Sequence, residues 1–240
     1  MTFLHILLPS VRPGGLELYE RLQEECSPLA TVVMDRKPGG FWKALNRMLY
    51  HHKPERFVWL ADDCEPQEGW LENLIGCWKD KFPDDYGLAV CNDLVVMQGG
   101  AAFAMTTPQW LSILFGNPWF PKEFGHKYLD TIIADRSKDL GRYFFCKNAV
   151  AEHNHYLFGK AEMDTVYENN LKRGLGDKRI KDDMDNQWKF GGKEDAIDRM
   201  KRKGIEFHAV LPISAPPPPP PAPINEKRSQ SKNQSHQSRR

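Results

Sequence analysis

The sequence predicts an α/β fold built on a mainly parallel sheet flanked by helices. Short apolar runs alternate with helical spacings through the first half of the 240 residues, as expected when strands are joined by crossover helices. Some of these runs are apolar on both faces, as central parallel strands are. Turn formers such as Pro9-Ser10, Pro13-Gly14-Gly15 and Gly39-Gly40 separate them.

Phe3–Leu8 reads as a buried strand stopped by Pro9-Ser10. Leu16, Tyr19, Leu22 and Gln23 give 16–25 helical spacing. Thr31–Asp35 is β-branched and reads as a second strand, and the Gly39-Gly40 turn opens a helix over 41–51. Phe57–Ala61 forms the third strand, 67–79 a helix, and Tyr86–Cys91 a fourth strand. Pro108–Phe115 and Tyr128–Leu140 read as helices, the second ended by Gly141. Tyr143–His153 is a mixed strand region, 193–203 an amphipathic helix, and Ile205–Val210 a possible last strand. The organisation expected is therefore one domain over 1–213 and a disordered tail over 214–240. In that tail Pro216–Pro221 favours extended polyproline and the remainder offers nothing to bury. A solvated tail and a segment that engages a proline-binding partner both fit that composition.

A formal charge of +1 makes no demand for nucleic acid or an anionic membrane. The tail is basic (Lys227, Arg228, Lys232, Arg239 and Arg240 against Glu226), which leaves the rest mildly acidic. Five cysteines without a Cys-x-x-Cys pair argue against a disulfide framework and for a reducing, cytoplasmic setting. The N-terminus lacks the basic start of a secretory signal, and no apolar run reaches the roughly 18 residues of a membrane span.

The sharpest chemical signal is Asp62-Asp63, closing the third strand and followed by Cys64-Glu65-Pro66 and Gly69-Trp70. Ligands in open α/β sheets bind beyond the carboxyl ends of the strands. Adjacent carboxylates there repel unless a cation or donors compensate, and hard oxygen ligands suit Mg²⁺ or Mn²⁺ bridging to phosphate. A capped turn that opens the next helix is an equal reading of the same residues. Further on, His153-Asn154-His155 lies in an extended region where residues two apart share a side. Asn92 and Asp93, beside Gly99-Gly100, read as a turn.

Taken in order, these segments resemble glycosyltransferase family 2 and related GT-A folds. The resemblance runs over about residues 3–170. It rests on Pro9-Ser10, the helix carrying Ala44-x-Asn46, Asp62-Asp63, Asp130-x5-Arg136-x4-Gly141, and His153-x-His155. Leu129 departs from the pattern, standing where the family usually has Glu. The resemblance implies a nucleotide-sugar donor (a UDP- or GDP-sugar), a divalent metal and an acceptor it does not identify. It makes Asp63 the metal ligand and Asp62 its neighbour at ribose or metal. Pro9, Ser10, Asp35 and Asn46 fall at the nucleotide side, and Asp130 becomes the base that deprotonates the acceptor. His153, or failing it His155, becomes a late metal ligand, and Lys160 a cation for the departing phosphate. A Mg²⁺-dependent nucleotidyltransferase or phosphohydrolase, and a non-catalytic module acting through the polyproline segment, are the alternatives.

Overall fold

The computed structural model describes residues 4–206 and has an α/β architecture, a seven-stranded sheet with helices packed on both faces. The strands are β1 (Leu4–Pro9), β2 (Thr31–Asp35), β3 (Arg56–Trp59), β4 (Cys64–Pro66), β5 (Leu88–Asn92), β6 (Ala104–Thr106) and β7 (Tyr143–His153). Their spatial order is β2-β1-β3-β6-β5-β7-β4. The helices are α1 (Gly15–Glu25), α2 (Phe41–His52), α3 (Trp70–Lys81), α4 (Pro108–Phe115), α5 (Leu129–Asp139), α6 (Thr165–Arg173), α7 (Asp177–Gln187) and α8 (Lys193–Arg202).

The helix-flanked sheet is as expected, and its longer pairings are parallel while the short strands pair antiparallel. β2, β1 and β3 are parallel, as is β5 with β7, but β6 runs antiparallel to both β3 and β5, and β4 antiparallel to β7. The reason lies between β5 and β6. A parallel return needs a crossover of a dozen or more residues, usually a helix, and the linker here holds only a short 3₁₀ turn at Met97–Gly99. Asp93 Oδ1 organises that linker by accepting the backbone N–H of Val95 (3.0 Å) and Met97 (2.7 Å). Asn92 and Asp93 thus form the turn read from the sequence.

Strand periodicity divides the core. Ile6, Leu8 and Val58 face Leu18 and Leu22 of α1 and Leu74 and Trp78 of α3. Leu7, Phe57 and Trp59 point the other way, against Trp42 and Leu45 of α2, Trp110 of α4 and Ile133 of α5. Fully burying a side chain such as Leu7 or Phe57 contributes roughly 1.5–3 kcal/mol, so each strand fastens two layers at once. Trp59 Nε1 is satisfied inside the core by the carbonyls of Ala101 and Ala102, each at 3.1 Å.

Element boundaries follow local chemistry. Thr107 caps α4, its hydroxyl accepting Trp110 N–H (3.1 Å) with Pro108 at the first helical position. Gly141, at φ 69°, follows the end of α5, where left-handed backbone favours glycine. Asp164 suits a helix cap and does cap α6, accepting Tyr167 N–H at 2.8 Å, whereas α7 starts without a side-chain cap and carries no such signal. Ile205 and Glu206 are not in a strand. Residues 207–210 of the possible last strand, residue 3 of the first, and the proposed division into 1–213 and 214–240 lie outside the described residues.

Candidate active site

Because β2, β1 and β3 are parallel neighbours, their carboxyl ends share one edge of the sheet. That edge carries Pro9-Ser10, Asp35 and Asp62-Asp63. A cavity of about 680 Å³ opens over it, lined by all five of these residues and by Asp130, His153 and His155. The sequence separates Asp63 from His153 by 90 positions; the short strand β4, which periodicity did not reveal, joins them. β4 pairs antiparallel with the end of β7, Cys64 opposite His153. Asn154 N–H donates to the Asp63 carbonyl at 2.8 Å. His153 Nε2 then lies 3.5 Å from Asp63 Oδ1.

The acidic pair is split in its duties. Asp62 accepts Ser10 Oγ–H (2.9 Å), Arg12 N–H (3.4 Å) and the Arg12 guanidinium, so its carboxylate fastens the loop after β1 to the end of β3. Gly15 allows that approach, since a Cβ there would fall 1.7 Å from Ser10 Oγ. Asp63 Oδ2 accepts the Tyr167 hydroxyl at 2.9 Å, whereas its Oδ1 is buried without a hydrogen bond. Burial pushes the Asp63 carboxyl up, but His153, Tyr167 and Arg12 outweigh it and hold the group below its ordinary value. An ionised oxygen with spare capacity facing an imidazole is a fitting donor pair for a hard divalent cation. His155 meets both His153 and Tyr167 edge-on, with ring centroids 5.1 and 4.8 Å apart. Its Nδ1 accepts Leu157 N–H at 3.3 Å, leaving only Nε2 for any other partner.

Asp130 sits in the first turn of α5, reached through Tyr128 in left-handed backbone (φ 68°). Burial raises its carboxyl above the ordinary value, with partial relief from backbone N–H groups and His153. Leu129, where the resemblance would place Glu, is fully buried in the core. An apolar residue therefore suits its place in the packing. Arg136 is also structural: its guanidinium donates to the Leu114 and Met184 carbonyls (3.1 Å each) and lies 4.6 Å from the Trp188 ring centroid.

Other expected residues are committed elsewhere. Asp35 lines the cavity, but its carboxylate accepts Lys37 N–H and Arg47 Nε–H, both at 2.7 Å. Asn46 does not line it; its amide donates to the Phe120 carbonyl (2.9 Å) and accepts Phe120 N–H (3.0 Å). These two bonds make Asn46 a clamp between α2 and the loop before α5. Lys160 lies outside the cavity lining and pairs with Glu152 at 2.8 Å.

Arg12, Tyr167 and His126 were not singled out by sequence. The Arg12 guanidinium bridges Asp62 and Asp164 (Nε to Oδ2, 2.8 Å) and lies 4.2 Å from the Tyr167 ring centroid. Burial opposes its charge, yet Asp164, Asp62 and Asp63 together raise its pKa. Position supplied one usable signal, since Arg12 follows the strand-end Pro9-Ser10 closely. His126 lines the cavity, and burial pushes its imidazole down to about 4.

No protein-family profile and no curated relative matches the chain. Among solved structures it is similar to the mannosyltransferase PcManGT from Pyrobaculum calidifontis, in complex with GDP-Man and Mn2+. That match has 13% identity, covers 84% of this chain and 74% of that one, and has a TM-score of 0.46. It is also similar to glucosyl-3-phosphoglycerate synthase from Mycobacterium tuberculosis, in complex with Mn2+, uridine-diphosphate and glucosyl-3-phosphoglycerate (15% identity, 87% and 82% covered, TM-score 0.44). A third is S. aureus TarS 1-349 in complex with UDP-GlcNAc (11% identity, 71% and 64% covered, TM-score 0.43). Among the described residues, no helix is long and apolar enough to cross a membrane.

Proposed function

We propose that this chain is a metal-dependent glycosyltransferase that moves a hexosyl group from a UDP- or GDP-sugar to an acceptor hydroxyl. One observation carries the reading. A single cavity combines Asp63, whose free oxygen faces His153, with Asp130, a carboxyl whose proton affinity burial has raised. Asp63 and His153 would hold Mn²⁺ or Mg²⁺, with His155 packed behind them. Among the described residues no three His, Cys, Asp or Glu side chains form a ready metal cage. Diphosphate oxygens and water would complete the shell, as is usual for Mg²⁺ bound beside phosphates. When bound, the cation supplies charge stabilisation to the departing diphosphate.

The chain's own residues do the rest. Asp130 takes the acceptor hydroxyl proton as that oxygen bonds to the anomeric carbon and the sugar–phosphate bond breaks. Ser10, Arg12 and Asp62 keep the β1 loop against the end of β3 and so shape the nucleotide edge. A two-metal phosphohydrolase would need another carboxylate cluster. Asp135, the nearest in sequence to Asp130, is exposed, faces Lys138 at 3.7 Å and is not part of the cavity lining.

The test is a thermal-shift screen of UDP- and GDP-sugars with and without Mn²⁺. A ligand that binds only the native state raises Tm. At least one nucleotide sugar should do so in a Mn²⁺-dependent way; a flat response across the panel overturns the reading.

A further inference from the structure

The loop before α5 is fastened from two sides. Asp177, at the start of α7 and 1% exposed, accepts backbone N–H groups from Gly125 (2.9 Å), His126 (2.8 Å) and Lys127 (2.6 Å). From α2, Trp42 Nε1 donates to the His126 carbonyl at 2.9 Å. Gly125 is packed so closely that a Cβ there would fall 2.1 Å from the Arg173 carbonyl oxygen. Both backbone polar groups of His126 are therefore committed, and little freedom remains in where its side chain projects.

His126 lines the same cavity as Asp63, Asp130 and His153, and its imidazole is near enough to Asp63 and His155 to feel their charges. Its Nδ1 is buried without a hydrogen-bond partner. Desolvation of this half-buried imidazole outweighs the favourable charges of Asp63 and Asp177 and keeps the ring neutral. Nε2 is then the ring's remaining polar atom for a ligand. A neutral ring is a weak counter-charge for a diphosphate. A hydroxyl, by contrast, both donates and accepts, and satisfies either tautomer.

We propose that His126 is a substrate-contacting residue that hydrogen-bonds a hydroxyl of the transferred sugar, held in place by Asp177 and Trp42. The inference rests on the donor reading above and adds the part of the donor that this residue meets.

Calorimetric titration of the full chain with Mn²⁺ tests it, comparing UDP with UDP-glucose and GDP with GDP-mannose. A neutral hydrogen bond changes affinity by about 2- to 13-fold. His126→Ala should weaken the productive nucleotide sugar by about 5- to 10-fold while leaving the matching nucleoside diphosphate within roughly 2-fold. His126→Gln, whose amide can still donate and accept, should recover part of the loss and stands in if the alanine variant does not fold. Equal sugar-nucleotide affinity in His126→Ala and wild type overturns the inference. So does an equal loss for diphosphate and sugar nucleotide, which would place the contact elsewhere. If the wild-type chain binds none of the four nucleotides, the donor reading fails first, and this inference with it.

Discussion

Asp63 and Asp130 lie in one cavity, yet their surroundings treat their charges in opposite ways. Asp63 is buried but answered by His153, Tyr167 and Arg12, so it stays ionised. Asp130 is left closer to its desolvation cost, and its carboxyl is raised. A raised carboxyl binds its proton more tightly folded than unfolded, so it lowers stability as pH rises through the unfolded and then the folded value. Asp130→Asn removes that cost. The variant is therefore expected to abolish transfer while keeping donor binding, with Tm at pH 7 equal to or above wild type. A clear drop in Tm would show that the carboxylate is structurally required. Asp63→Ala is expected to lose Mn²⁺-dependent release of nucleoside diphosphate by at least about 100-fold, the scale of losing electrostatic stabilisation in a preorganised site. Turnover within a few-fold of wild type would remove Asp63 from the metal. In the sequence Asp63 is legible at a strand end, and Asp130 only through its spacing to Arg136 and Gly141 in the family resemblance. The resemblance already sets Asp63 apart as the metal ligand, but it does not reveal what Asp62 does. Its fastening role depends on Ser10 and Arg12, 52 and 50 positions away.

The elements that build the site edge approach one another closely, and α1 shows how little room is left. A Cβ on Gly15 would lie 1.7 Å from Ser10 Oγ and 2.6 Å from its Cβ, whereas one on Gly14 meets nothing within 4 Å. Overpacking a tight contact costs about 1–3 kcal/mol. Gly15→Ala is accordingly expected to lower stability by about that much and to push Ser10 off Asp62, weakening donor binding as well. Gly14→Ala should leave both near wild type. Chemical denaturation of the two variants side by side measures the contrast, and equal behaviour would contradict the packing argument. The sequence showed Pro13-Gly14-Gly15 only as a breaker. Which glycine is sterically required depends on tertiary contact. The same limit hid β4. Three residues cannot display a period, and Cys64–Pro66 is a strand because β7 lies beside it. Long segments fared better: the ends read for β2, α4 and β7 coincide with those observed, where β-branched runs, a Thr-Pro cap or a following turn mark them.

At the scale of the whole molecule, the site edge is held by carboxylates that tie distant parts of the chain together. Asp35 joins the end of β2 to Arg47 of α2, and Asp164 joins the N-terminus of α6 to Arg12. The order of motifs along the sequence announced which strand ends would meet. It did not announce where α6 docks, since the helix has little apolar content and its docking runs through Arg12 and Tyr167. In both carboxylates burial works against ionisation and is outweighed. Hydrogen bonds with Arg47 and Lys37 lower Asp35, and those with Arg12 and Tyr167 lower Asp164, from an ordinary value of 3.8. The sign follows directly. A carboxyl that loses its proton more readily folded than unfolded adds stability that is fully present above the unfolded value and disappears as pH falls through the folded one. Tm should therefore fall as pH drops from about 5 towards 3, beginning near the ordinary carboxylate range. Asp35→Asn and Asp164→Asn, each keeping the side chain's size, should flatten part of that fall while lowering Tm at pH 7. Thermal unfolding at half-unit pH steps decides the matter. If the double variant loses stability in acid as steeply as wild type, these two ties are not what makes the site edge acid-sensitive.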